Sequence, residues 1–272
     1  MRVAVVGHVE WVRFALVDRI PEAGAVAHAS DVFEEPAGGG AVAAVQLARL
    51  AGRATLYTAL GDDEHGRRTV ERLAELGVEV RAQVRPGVET RSAVTLVDEA
   101  GERTITTFGP RPDPRGAELD ELAAMDAVYF TAGDLDALRA VRSVSRVVVA
   151  SPRARHALGH GVELDALVLS AHDEIEQREA AGVRDEARVV VETEGEQGGH
   201  CEGDVSGRFE AAPAPKRIGD AYGCGDSFAA GFTYGLGTGM EIEQALALGA
   251  RCGAACLGGR GPYESQLAAR DL

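Results

Sequence analysis

Short β-branched runs alternate along the chain with Ala- and Leu-rich segments whose apolar residues fall at helical spacing. The runs at residues 2–6, 54–59, 78–84, 127–130, 146–150, 166–169 and 188–192 predict strands. Segments 40–50, 64–76, 135–141, 225–236 and 242–257 predict helices. Strands that are apolar on both faces and separated by amphipathic helices are the mark of βα units around a largely parallel sheet, so the fold class is α/β.

Two regions break that rhythm. Residues 11–33 alternate like a strand with no helix after them, and residues 91–97 with 103–108 flank the turn Asp98-Glu99-Ala100-Gly101, which reads as a β-hairpin. Extra strands of this kind, inserted at about 11–34 and 88–110, predict a small lid over the carboxyl ends of the parallel strands, where ligands of such sheets bind. The Pro-rich stretch 109–115 reads as a connection between elements.

The most informative segment runs from Gly219 to Phe232, where a Gly-rich turn passes directly into an Ala-rich apolar helix. The first N–H groups of a helix have no partner within it, and with the helix dipole they suit an anion. Gly223 and Gly225 let the backbone come close to such a group, and Asp226 is placed to accept a proton from a hydroxyl attacking a phosphorus. The plainer alternative is that Asp226 caps the helix and the glycines only turn the chain.

Composition narrows the setting. At 272 residues the chain has room for one large α/β domain with a small appendage. Its formal charge of −15 repels nucleic acid and anionic membranes, so any phosphate must be held by local features. Cys201, Cys224, Cys252 and Cys256 have neither disulfide-framework nor zinc-knuckle spacing, and no apolar run reaches membrane-spanning length. A soluble, cytoplasmic protein is expected, with a small molecule as partner.

The 219–232 segment resembles the second signature of the ribokinase-like (pfkB) carbohydrate kinases, Asp-Thr-x-Gly-Ala-Gly-Asp, matching at Asp220, Gly223, Gly225 and Asp226. Ala221 replaces the Thr and Cys224 the Ala, and neither change removes a backbone donor. Gly38-Gly39-Gly40 with the following Ala and Val residues looks like the family's first signature. Ala59-Leu60-Gly61-Asp62-Asp63 with Gly66 resembles its GxDxxG element, and Thr193-Glu194-Gly195-Glu196-Gln197-Gly198 its TxGxxG nucleotide loop.

The resemblance implies a three-layer αβα sandwich over residues 1–272, with a mainly parallel sheet and a strand lid. It implies transfer of the ATP γ-phosphate to a hydroxyl of a sugar or sugar-like molecule. Asp226 would be the base and Gly223-Cys224-Gly225 the anion hole. Thr193, Gly195 and Gly198 would line the ATP site, with the helix around residues 249–253 flanking the adenine. The family's Asn-x-x-Glu element, tied indirectly to Mg2+, falls on residues 169–174, where Ser170 replaces the Asn and Asp173, or Glu174 by a one-residue shift, the Glu. K+ beside Asp220 and a homodimer through the lid are further implications.

At the acceptor end, Glu10 and Val12 stand where sugar kinases of this type have Asn-x-Asp, and Gly40, Ala41, Val42 and Ala43 where ribokinases continue Lys-Gly-Ala-Asn. Ribose is therefore not the expected substrate. Glu10, Trp11 and Gly38-Gly39-Gly40 are the substrate-binding candidates, with Trp11 read alternatively as a core or lid residue. Arg91, Arg111 and Arg153 can pair with a carboxylate or phosphate, or be solvated surface charges, and His8 reads as structural. A nucleoside kinase, with Trp11 stacking on a base, and a regulator that has lost catalysis are the alternatives. A nicotinamide enzyme is disfavoured, because the first strand is followed by Gly7-His8-Val9-Glu10-Trp11-Val12 and not by a dinucleotide fingerprint.

Overall fold

The computed structural model describes residues 1–119 and 122–272. Its first strand, β1 (Val3–Val6), is buried throughout: Val3 and Val5 join one apolar layer, Ala4 and Val6 the other. A strand apolar on both faces can only lie inside a sheet covered on both sides. In chain order there follow β2 (Glu10–Leu16), β3 (Asp31–Ala37), α1 (Gly39–Ala51), β4 (Ala54–Gly61), α2 (Glu64–Glu75), β5 (Val78–Arg85), β6 (Ser92–Val97) and β7 (Arg103–Phe108). Then come β8 (Met125–Phe130), α3 (Leu135–Val144), β9 (Ser145–Ala150), β10 (Leu164–Ser170), α4 (Glu174–Ala180), β11 (Ala187–Thr193), β12 (Gly199–Gly203), β13 (Gly207–Phe209), α5 (Cys224–Thr238) and α6 (Ile242–Leu257).

The main sheet has the order β13-β12-β11-β10-β9-β8-β1-β4-β5, parallel from β11 to β5, with β12 and β13 added as an antiparallel edge. Helices cover both faces, giving the expected three-layer sandwich. The seven expected strands and five expected helices are all present. The β12–β13 hairpin was not expected: it is short and rich in glycine, which hides a strand pattern. The smaller sheet has the order β3-β2-β6-β7 and forms the lid strands; β2 and β6 run parallel, so it is mixed.

From β1 the chain builds outward to β4 and β5, then returns to the other side of β1 with β8. The crevice of an open α/β sheet opens at such a reversal, beyond the strands' carboxyl ends. Here the crevice is closed in by glycine. A Cβ on Gly7 would lie 2.7 Å from the Gly40 Cα and 2.6 Å from a Thr131 methyl. The end of β1 thus lies backbone to backbone against the start of α1 and directly against the Thr131 methyl that follows β8.

The lid is fixed by aromatics. Phe14 stacks on Phe33 at 4.7 Å and meets Tyr222 edge-on at 5.0 Å, and the Tyr263 hydroxyl donates to the Pro36 carbonyl. Asp63 ties the lid's hinge to the main sheet by accepting bonds from the Thr90 amide and hydroxyl, both at 2.7 Å.

Gly40→Ala tests the glycine contact. Its Cβ would sit 2.6 Å from the His8 carbonyl oxygen, so the substitution should lower unfolding stability by about 1–3 kcal/mol. Gly182→Ala, with no atom within 4 Å of its Cβ, is the control and should be near neutral in the same chemical denaturation.

Candidate active site

The turn before α5 does what its glycines suggest. Gly223 takes φ 82°, in the left-handed region, and caps α5 with no side-chain bond. The first amide to pair well is that of Ser227, which donates to the Gly223 carbonyl at 2.8 Å; the Cys224 amide makes only a long bond to Ala221, 3.4 Å. The amides of Gly225 and Asp226 have no acceptor among the described residues. A Cβ on Gly225 would meet nothing within 4 Å, so open space lies in front of these donors. Two free N–H groups, a helix of 15 residues behind them and room in front make an anion cradle.

Asp220 holds this turn in place. Its oxygens accept the amides of Tyr222, 2.8 Å, and Gly261, 2.6 Å; burial pushes its carboxyl upward, against the pull of those two bonds. Both oxygens are thus engaged in the loop itself. The Tyr222 hydroxyl accepts the Gly38 amide at 3.1 Å, which joins the two glycine signatures. They meet again at Gly39, whose Cβ would lie 2.8 Å from the Asp226 Oδ1 and 3.2 Å from an Arg153 nitrogen.

Asp226 is therefore in the crevice, with its side chain 12 % exposed. Its Oδ1 accepts from Arg153 Nη1 at 3.0 Å, and Arg153 Nε lies 2.7 Å from Glu176 Oε1. The other Glu176 oxygen accepts the Ser170 amide at the end of β10, 2.8 Å. Burial alone would lower the Arg153 pKa, but the two carboxylates outweigh it and hold the guanidinium charged; burial raises the Glu176 carboxyl, and Arg153 pulls it back. Thr131 Oγ1, next to the same spot, is fully buried and has no partner.

Glu176 was missed from sequence. Asp173 caps α4 by accepting the amides of Ile175, 2.9 Å, and Glu176, 3.1 Å, and Glu174 is exposed. Reading Asn-x-x-Glu from the helix cap, as Asp173-x-x-Glu176, instead of from the strand end at Ser170, would have found it.

At the acceptor end, Glu10 opens β2 and is buried, with Arg91 Nε 2.8 Å from its carboxylate. Burial raises the Glu10 pKa, opposed by Arg91, Arg153 and Arg111. His8 Nε2 is 3.9 Å from Glu10, and Nδ1 is buried without a partner. Burial and then the three arginines push the His8 pKa well down, so its imidazole is neutral. Gly38 and Gly39 border this space, and Gly40 is pressed against the His8 carbonyl.

Trp11 corrects an expectation. It is only 4 % exposed, stacks on His65 at 5.5 Å, has the Arg68 guanidinium 4.3 Å from its ring centre and donates to Glu34. β2 turns it towards α2, so it fastens the lid and offers no face to a sugar or base.

At the far side, Thr193 ends β11 and donates to the Leu169 carbonyl. Gly195 is exposed, at φ 63°, with open space at its Cβ position. Gly198 serves packing: a Cβ there would strike the Phe209 carbonyl at 2.1 Å. In α6, Gly249 packs against Phe228 and Gly253 against the Cys224 carbonyl, so these glycines let α5 and α6 approach closely.

The family model described as pfkB family carbohydrate kinase matches residues 1–150 and 150–269. The ATP-dependent ribose-1-phosphate kinase of Halopiger xanaduensis is 29% identical, covering 98% of this chain and 96% of that one. The fructoselysine 6-kinase of Escherichia coli is 30% identical over 80% of this chain and 88% of its own. Among solved structures, Burkholderia thailandensis nucleoside kinase in complex with inosine superposes with a TM-score of 0.77 at 16% identity, covering 99% and 95% of the two chains.

The neutral His8 gives a pH signature. Its folded pKa lies below the ordinary 6.5, so between the two values the unfolded chain binds the extra proton, and His8's contribution to stability is lost as pH falls through about 6.5. Other groups titrate in the same range, so the difference between chains is the readout. The melting temperature of His8→Gln should fall less steeply than that of the parent between about pH 7.5 and about pH 5.5. Parallel curves would show that His8 is not held neutral.

Proposed function

The chain belongs to the pfkB family of carbohydrate kinases, and we propose that it transfers the ATP γ-phosphate to a sugar-like hydroxyl with Asp226 as general base and the Gly223-Cys224-Gly225 turn as anion hole. The observation that carries this reading is the pair of unpaired amides on Gly225 and Asp226, in the same helical turn as the Asp226 carboxylate. Base and anion donors are thereby fixed to one rigid element.

The roles follow from the geometry. Asp226 Oδ1 is committed to Arg153, while Oδ2 accepts no bond among the described residues and is free for the acceptor hydroxyl. That oxygen takes the proton as the hydroxyl attacks the γ-phosphorus. Negative charge growing on the transferred group faces the two amides and the α5 dipole, already oriented before the reaction begins. Arg153, adjacent to Asp226, adds a fixed positive charge at the point of transfer.

Thr193 and Gly195 border the nucleotide side, Gly195 being the glycine there with room for a ligand to approach. Mg2+ neutralises phosphate charge when bound. Among the described residues no cluster of three or more metal-binding side chains forms a cage, which fits an ion held mainly by the nucleotide's own phosphates. Asp173, whose Oδ2 accepts no bond among the described residues, is the carboxylate that would assist it through water. Asp220, with both oxygens committed to backbone amides, fits a loop clamp better than a K+ ligand.

Residues 1–272 are read as one kinase domain with inserted lid strands, working in the cytoplasm. No helix among the described residues is long and apolar enough to cross a membrane. A homodimer through the lid would use β7, whose six residues are all exposed. The nucleoside alternative loses the stacking face it relied on, because Trp11 is buried.

Asp226→Asn should reduce kcat by about 10²–10⁴-fold with ADP affinity by calorimetry nearly unchanged; close to normal turnover would remove Asp226 as base. Gly225→Ala separates fold from function. Its Cβ meets no protein atom, and alanine favours a helix by about 1 kcal/mol over glycine, so the melting temperature should hold or rise. The same methyl enters the anion's space, so kcat/KM should fall at least about tenfold.

A further inference from the structure

We infer that the acceptor is an anionic sugar, whose phosphate or carboxylate docks on Arg91 and Arg111 while its hydroxyl reaches Asp226. This rests on the kinase reading above and adds the substrate class. Three arginines from separate segments converge beside the crevice of a chain whose formal charge is −15. Arg91 comes from the lid hinge just before β6, Arg111 from the Pro-rich loop after β7, and Arg153 from the turn after β9. Arg111 Nη2 donates to the Arg153 carbonyl at 3.1 Å and Arg153 reaches Asp226, while Arg91 pairs with Glu10 at the start of β2. All three also act through space on both His8 and Glu10.

Arg91 and Arg111 are not ordinary surface charges, their side chains being 21% and 16% exposed. Arginine is rarely sequestered to that degree without a binding partner. Each has one carboxylate: Glu10 lies 2.8 Å from Arg91 Nε and Asp113 2.9 Å from Arg111 Nε. Neither is used up. Both terminal nitrogens of Arg91, and Nη1 of Arg111, have no acceptor among the described residues. A guanidinium with a carboxylate close to its Nε and its terminal edge open can still take a planar or tetrahedral oxyanion.

The rest of the acceptor end is short of groups suited to neutral hydroxyls alone. Its carboxylate, Glu10, is already neutralised by Arg91, and Val12 is wholly buried and apolar. His8 Nδ1 and Thr131 Oγ1, whose residues lie beside Gly38 and Gly39, are buried without a protein partner.

The test pairs neutral and anionic acceptors: ribose with ribose 1-phosphate and ribose 5-phosphate, and glucose with gluconate, followed by ADP release. The anionic members should show kcat/KM higher by about 100-fold or more, and the phosphate and carboxylate arms identify which anion is read. Arg111→Gln should raise KM for the anionic acceptor about tenfold or more with KM for ATP unchanged, and Arg111→Lys should fall between. Calorimetry of the best sugar anion without nucleotide should show the same order of affinities. Equal or better turnover of the neutral members, or an equal KM rise for both kinds in Arg111→Gln, would overturn the inference. Tight, Arg111-dependent binding of the anion with no turnover of any acceptor would instead uphold the anion site and overturn the kinase reading.

Discussion

Where β1 gives way to Gly7, the backbone of α1 comes so close that neither Gly7 nor Gly40 has space for even a methyl group. That approach sets the rest of the site. It brings the amino end of α1 to the reversal point of the sheet and places Gly39 against Asp226, which enters from α5, far along the chain. The Tyr222 hydroxyl, taking the Gly38 amide, adds a directional bond to the steric contact. A larger residue at Gly40 would move α1 outward and separate the acceptor floor from the base by more than a reaction geometry tolerates.

The electrostatics rest on that frame. Arg153 is held between two carboxylates: Glu176 anchors it to the end of β10, and Asp226 keeps its Oδ2 without a partner among the described residues. Such a triad adds little net stability, because solvent reaches the partly exposed Arg153 and taking the two carboxylates out of water offsets much of the attraction. What it supplies is position. With Glu176 fixed by the Ser170 amide, the guanidinium is held beside Asp226. The capping of α4 by Asp173 belongs to the same device, since it orients the turn that carries Glu176.

Much of this was legible in the sequence. Strands apolar on both faces leave a strong signal, and the turn before α5 announced its open amides through Gly223 and Gly225. Glu176 was hidden because α4 has only seven residues, too few for periodicity to show which side faces the site. Trp11 was misplaced for a related reason: along a strand neighbouring side chains point to opposite faces, so adjacency to Glu10 says nothing about sharing its pocket. The convergence of Arg91, Arg111 and Arg153 was beyond reach, because it depends on how the lid hinge, the Pro-rich loop and the β9 turn come together in space.

The two ends of the crevice differ in how they encode chemistry. The proposed phosphate end would work through backbone amides and a helix dipole, which depend on the turn and not on the side chains of Ala221 and Cys224. The acceptor end works through side chains, so every replacement rewrites what can bind. Exchanging neutral hydroxyl-binding groups for Glu10 paired to Arg91, and closing Gly40 to any side chain, shifts the balance from oxygen acceptors to guanidinium donors. A chain with this much negative charge draws no anion by its overall field, so a substrate anion has to be recognised at short range, where screening by solvent is weakest. The half-buried arginines would meet that requirement, and the proposed substrate class rests on contacts made by the fold, whereas the proposed reaction rests on a short motif.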